Sequence, residues 1–292
     1  MHLLSCEFRL WRRAVKKWLT AQPRVAVLLV LTVLTVLPPV PAMAANDLLV
    51  APTRLTFEGR TRSTEVILKN IGPRAATYRI SLVARRMSPD GDIVEVDTPN
   101  AGEALAEKMV RFAPRRVRLE PNQPQSIRVA IRKPADLADG EYRIHMMFRA
   151  IPDPDALAPP TETPTKGLAI RLTPIYGVTI PLIVRHGELD SSARIVALER
   201  AEEGPRQGLR VRLEQLGSRS VYGELVVDRP GMDEPLARAR GIALYPEVTT
   251  RDLFIDLSPD FAGSVEGPVR IRYYDESDGG RVLLDEMTTV IG

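Results

Sequence analysis

The chain has 292 residues, 44% of them hydrophobic and 26% charged, with a formal net charge of +3. This is the composition of a core-forming protein, and it excludes collagen, coiled coil and disorder. Aromatic residues make up only 5%, and 25 prolines outnumber 19 glycines, which suits short strands joined by fixed turns better than a helical bundle.

In chain order the first feature is a leader. Arg9, Arg12, Arg13, Lys16, Lys17 and Arg24 precede an apolar run from Val25 to Leu37, broken only by threonines and followed by Pro-Pro-Val-Pro and Ala42-Met43-Ala44. A basic start, a short apolar run and an A-x-A site describe a cleavable secretory signal peptide over residues 1–44. The run is shorter than the roughly 20 residues needed to span a bilayer. A retained anchor is the competing reading, because the leader is long.

Cleavage after Ala44 changes the balance. The leader holds six basic residues and one acid, which leaves 34 basic against 36 acidic residues. The positive charge thus belongs to the leader and argues nothing about nucleic acid. Trp11, Trp18 and the single cysteine, Cys6, leave with it. Disulfides, zinc–thiolate sites and cysteine nucleophiles are thereby excluded.

Beyond the leader, period-two runs end repeatedly in turn signals. Strands are predicted over Ser63–Asn70, Ala76–Val83, Val117–Leu119, Ser126–Arg132 and Glu141–Arg149. In the last of these Ile144, Met146 and Phe148 face inward, and Arg143, His145 and Arg149 outward. No window of 12 or more residues holds a helical period, so this half reads as all β. The texture restarts after Gly187, with strands expected over Gly208–Glu214, Val221–Asp228, Leu253–Leu257, Val269–Tyr274 and Arg281–Val290. The predicted architecture is all-β: two immunoglobulin-like sandwiches over residues 45–187 and 188–292, each near the usual size of about 100 residues. The first part carries 21 basic and 16 acidic residues, the second 13 and 20. Attraction between the halves and unrelated solvated surfaces explain that asymmetry equally well.

The segment before the boundary stands apart. From Leu168 to Val184 the even positions read Leu168, Ile170, Leu172, Pro174, Tyr176, Val178, Ile180, Leu182 and Val184, with Ile175 and Ile183 the apolar exceptions between them. As one strand this would extend about 55 Å, too long for a single sandwich to cover, so part of the row would project beyond its own core. Exposed apolar edges of this kind pair with other chains. Two strands split at Pro174 or Gly177 fit the pattern equally well.

Several stretches resemble the periplasmic pilus-chaperone family. They are Val50-Ala-Pro-Thr-Arg-Leu55, Phe112-Ala-Pro-Arg-Arg-Val-Arg-Leu-Glu-Pro121, Gln125-Ser-Ile-Arg-Val129, Asp139-Gly-Glu-Tyr-Arg-Ile-His145, the long segment ending in Val184-Arg185, and Tyr273-Tyr-Asp-Glu-Ser-Asp-Gly-Gly-Arg281. The resemblance spans nearly all of residues 48–187 in order and weakens beyond. It implies a boomerang of two sandwiches whose long strand completes an unfinished pilin subunit, the donor-strand form of β-augmentation. The donors here would be Leu168, Ile170 and Leu172, with Tyr176 continuing the row. It further implies that Arg54 anchors the subunit's terminal carboxylate, since a guanidinium grips a carboxylate through paired hydrogen bonds. The second anchor, normally a lysine, falls at Pro181, so Arg171, Lys166 or Arg185 would have to serve. An interdomain ion network is implied at Glu141, Arg185 and an acid among Asp275, Glu276 and Asp278, with Asp275 the first choice. The implied partners are pilin or fimbrial subunits and an outer-membrane usher, in the periplasm. Pairing of two free copies through the donor strand is left open.

No catalytic constellation competes with this. Beyond the leader the histidines are His145 and His186, and HExxH, G-x-S-x-G, Walker A and GxGxxG motifs are absent. His145 reads as solvated beside Arg143, and His186 as a hinge residue. No enzyme, cofactor or metal site is expected. The alternative is a secreted structural or adhesive immunoglobulin-like module. A pilus subunit would need a longer alternating peptide than Ala45-Asn-Asp-Leu-Leu-Val50 ahead of its domain, and a carbohydrate binder would expose tryptophan or tyrosine platforms, of which no tryptophan remains beyond the leader.

Overall fold

The computed structural model describes residues 47–152, 175–259, 261 and 264–292. The leader, 1–44, and the expected donors Leu168, Ile170 and Leu172 lie outside the described residues, as do Lys166 and Arg171. The fold class read from the sequence is the one found, all-β with two immunoglobulin-like sandwiches.

Alternation builds the first sandwich. One sheet has the order β1-β3-β9-β7, from β1 (Leu48–Ala51), β3 (Ser63–Asn70), β9 (Pro124–Ile131) and β7 (Val110–Ala113). The other runs β2-β11-β10-β4-β8, from β2 (Leu55–Phe57), β11 (Gly177–His186), β10 (Gly140–Ile151), β4 (Ala76–Val83) and β8 (Arg116–Leu119). Val66, Leu68, Ile127 and Val129 of the first sheet meet Ile80, Ile144, Met146, Phe148 and Leu182 of the second in one buried core. Each such side chain is worth roughly 1.5–3 kcal/mol.

The second sandwich pairs two further sheets. One is β12-β13-β16, from β12 (Ala193–Glu203), β13 (Arg206–Gln215) and β16 (Thr250–Asp256). The other is β15-β14-β17-β18, from β15 (Ala237–Leu244), β14 (Val221–Asp228), β17 (Gly267–Asp275) and β18 (Val282–Ile291). Its core gathers Ile195, Leu209, Val211, Leu225, Val227, Ile271 and Tyr273.

Two residues of the first half complete this second core, Met87 and Ile183. Met87 sits on a small hairpin of β5 (Arg85–Met87) and β6 (Ile93–Glu95). Ser88-Pro-Asp-Gly91 forms its tip, where the Gly91 N–H donates to the Ser88 carbonyl at 2.9 Å. Gly91 has φ +88° and packs against the Arg251 side chain, so a Cβ would find neither conformation nor space. The Met87 N–H donates to Glu247, and the Asp252 N–H donates to the Pro89 carbonyl at 2.9 Å. The hairpin is therefore a strap from one sandwich to the other.

One short helix sits within the all-β first half. Between β6 and β7 lies α1, the nine residues Ala101–Met109. Asn100 and Glu103 form a reciprocal capping box, and Ala106 and Met109 are buried in the first core. Nine residues make too short a run for a helical period to stand out. Glu103 also takes a two-pronged bond from Arg86 of β5 at 2.8 Å, and this bond holds its carboxyl below the ordinary range.

Candidate functional site

The first part of the site is an open strand edge. β11 pairs with β10 along its whole length but with β2 only at Leu182–Val184, in parallel. The Tyr176 carbonyl accepts from the Ala150 N–H at 2.9 Å. By strand alternation, residues 178 and 180 also bond toward β10, and 177, 179 and 181 turn their backbone groups the other way. Among the described residues nothing pairs with that edge before Leu182. Pro181 suits it, since proline belongs where no ladder donor is needed.

The even-numbered side chains of this strand leave the core progressively. Val184, Leu182 and Ile180 are buried, Val178 is half-buried, and Tyr176 is 46% exposed. Around Tyr176 a small opening of about 100 Å³ lies among Leu48, Tyr78, Phe148 and Val178, at the mouth of the sandwich. Ile175, one of the two exceptions to alternation, is exposed. The other, Ile183, is buried because its face meets the second sandwich.

Arg54 lies where the chain steps from β1 to β2, immediately before Leu55 pairs with Leu182. It therefore stands beside the end of the open edge. Its Nη2 donates to the Tyr245 hydroxyl at 3.0 Å. Its guanidinium stacks 4.3 Å from the Tyr222 ring centroid and 5.5 Å from that of Tyr245. Its Nη1 is buried and has no hydrogen-bond partner.

Arg143 approaches the same ring. Its guanidinium lies 3.6 Å from the Tyr245 centroid, pairs with Glu247, and donates to the Arg85 carbonyl at 3.4 Å. His145, opposite Pro181 in the β10–β11 register, corrects the sequence reading: it is only 3% exposed. Its face of β10 was expected to meet water, but helix α1, the strap and the second sandwich lie against it. Burial, with the charges of Arg143, Arg85 and Arg54, pushes His145 down to about 3. Its Nδ1 and the Nε atoms of Arg143 and Arg85 are also buried without partners. A buried unpaired polar group costs about 1–3 kcal/mol.

The third part is the Arg185 network. Arg185, 2% exposed, donates to Glu141 at 3.2 Å, Glu58 at 3.1 Å, Asp278 at 3.2 Å and the Ser220 carbonyl at 3.0 Å. Burial opposes its charge, but Glu141 and Glu58 outweigh that and hold the guanidinium above its ordinary value. Glu141 also accepts from the Ser220 N–H and hydroxyl, both at 2.9 Å. Asp275 does not touch Arg185. It pairs with Arg219 at 3.3 Å and accepts from the Ser277 N–H at 2.9 Å, whereas Asp278, in the turn beyond β17, reaches Arg185. Arg219 bridges the two, bonding Asp278 at 3.0 Å.

The structure thus brings Glu141 and Arg185 together, sets Asp275 one ion pair away, and places Arg54 against Tyr222 and Tyr245 and Tyr176 at the exposed end of β11. Arg185 is committed to carboxylates and is no spare cation. Tyr222, Tyr245, Glu247 and Arg143 went unassigned in the sequence. Arg54 and Tyr245 are 191 positions apart, and no local pattern links them.

No family model matches the chain, and no curated protein matches it. Among solved structures it is similar to the YadV chaperone, at 14% identity over 84% of this chain and 100% of that one, TM-score 0.44. It is similar to the CupB2 chaperone of Pseudomonas aeruginosa, also at 14% identity over 84% and 100% of the two chains, TM-score 0.44. It is similar as well to the DraB chaperone of E. coli, at 14% identity over 84% and 96%, TM-score 0.43.

Proposed function

We propose that this protein is an exported chaperone that completes unfinished β-sandwich subunits of the pilin kind by lending them a strand, and passes them on for assembly at an outer-membrane usher. On this reading residues 1–44 direct export to the periplasm, 45–187 hold the subunit and 188–292 form the second arm. The observation that carries it is the open edge of β11, which ends beside Arg54. An extended chain added along that edge gains backbone bonds there. It would meet the even-numbered row of Leu168, Ile170, Leu172 and Tyr176 in register. Its terminal carboxylate would accept a hydrogen bond from the unpartnered Nη1 of Arg54. Glu141, Arg185 and Asp275, with Asp278, would then fix the angle between the arms. The function is binding rather than catalysis, and no cofactor takes part.

The test is co-purification from periplasm of tagged wild type beside Ile170→Asp. A small sandwich-type subunit retained by wild type and lost by the variant supports the reading. If both emerge alone, the protein is a structural or adhesive module instead. If Ile170→Asp unfolds the first sandwich, the row is core and the donor reading fails.

A further inference from the structure

We propose that Tyr222 and Tyr245, both from the second sandwich, are positioning residues that hold the Arg54 guanidinium in its anion-ready orientation. The inference rests on the reading of Arg54 as a carboxylate anchor and deepens it: the anchor belongs to both sandwiches.

A lone arginine at a strand step keeps most of its rotamer freedom, and fixing such a side chain on binding costs entropy. Here that freedom is already gone. The Tyr222 face supports the guanidinium plane from one side, and the Tyr245 hydroxyl takes one Nη2 hydrogen. Tyr245 is itself held. Arg143 stacks on its ring, Glu247 grips Arg143, and the same Glu247 accepts the Met87 N–H at 3.1 Å. The chain of contacts runs from the strap through Glu247, Arg143 and Tyr245 to Arg54. Along it the donor left unmatched on Arg54 is Nη1. A preformed site gains affinity by avoiding the ordering cost at the moment of binding. If the second sandwich moved away, Arg54 would lose both aromatic supports together, so anion affinity reports how the two sandwiches are docked.

The probe is sodium acetate, titrated against sodium chloride at matched ionic strength. The readout is the Arg54 Nε–Hε resonance of 15N-labelled protein, identified by its loss in Arg54→Lys. Wild type and Tyr222→Phe, which keeps the aromatic face, are expected to show the same saturable acetate shift. Tyr222→Leu and Tyr245→Phe are expected to raise the midpoint roughly tenfold, about 1.4 kcal/mol. A Tyr222→Leu midpoint equal to wild type overturns the proposal, and so does a wild type that responds no differently to acetate than to chloride. If Tyr222→Leu melts early, Tyr245→Phe decides alone, because it removes only a hydroxyl. Failure of the chaperone reading looks different: no subunit co-purifies while the acetate response of wild type and its loss in the variants remain as stated.

Discussion

The two ends of β11 make an instructive pair. From Leu182 to Arg185 every residue is buried: one face fills the first core, Ile183 enters the second, and β2 closes the free edge. From Gly177 to Pro181 the same strand has one edge open among the described residues, and its apolar row walks out to Tyr176. Hydrophobicity does not separate the two ends, since Val178 and Ile180 are as apolar as Leu182 and Val184. The length of the neighbour does. β2 has only three residues, because the chain spends Pro52, Thr53 and Arg54 stepping between sheets, and that step leaves the edge open and puts a cation at its end.

The contrast can be broken from the closed end. Arg185→Ala strands Glu141 in a buried site, and loss of one partner of a buried pair costs about 3–5 kcal/mol. Urea denaturation of the variant should show a loss of that size, and a loss under about 1 kcal/mol would mean that Glu141 finds water. A smaller effect comes from His145. Its charged form is disfavoured in the folded state, so the unfolded chain binds a proton that the folded one does not. Stability is therefore full above about pH 6.5 and falls as pH drops toward about 3. Between pH 6.5 and 5, above the carboxylate range, the expected slope rises from about half to nearly the whole of 1.4 kcal/mol per pH unit. Melting curves of His145→Gln across that window should be flatter than those of wild type. Smallest in stability is Thr179→Pro at the open end. It removes an N–H that points away from β10, so the free protein should lose under about 1 kcal/mol, yet subunit capture should fail. Equal loss in both assays would show that this edge is structural.

Strands were legible wherever one face was wet. Ser63–Asn70, Ala76–Val83 and Val221–Asp228 begin and end where alternation placed them. Helix α1 was missed on periodicity, although Asn100 and Glu103 at capping-box spacing were its visible signal. His145 was misread because its strand alternates correctly, but the outward face of β10 is covered by residues about 100 positions away, such as Glu247 opposite Arg143. Ile183 shows the same limit from the other side. It looked like an irregularity in the alternation and is a residue serving a second core. Arg54 was reached through family resemblance alone. The tyrosines that frame it had no such guide, for their meaning exists only once the two sandwiches are docked.

The strap carries a consequence for how this chain can be divided. Without the second sandwich in place, the first would present Met87 and Ile183 as apolar side chains with no core to enter. Dissected after Gly187, the downstream fragment would carry a core missing both side chains, each worth roughly 1.5–3 kcal/mol when buried. The upstream fragment would keep them as an exposed apolar spot. The two sandwiches are thus separate in topology and joined in packing, with the first supplying part of the second one's interior.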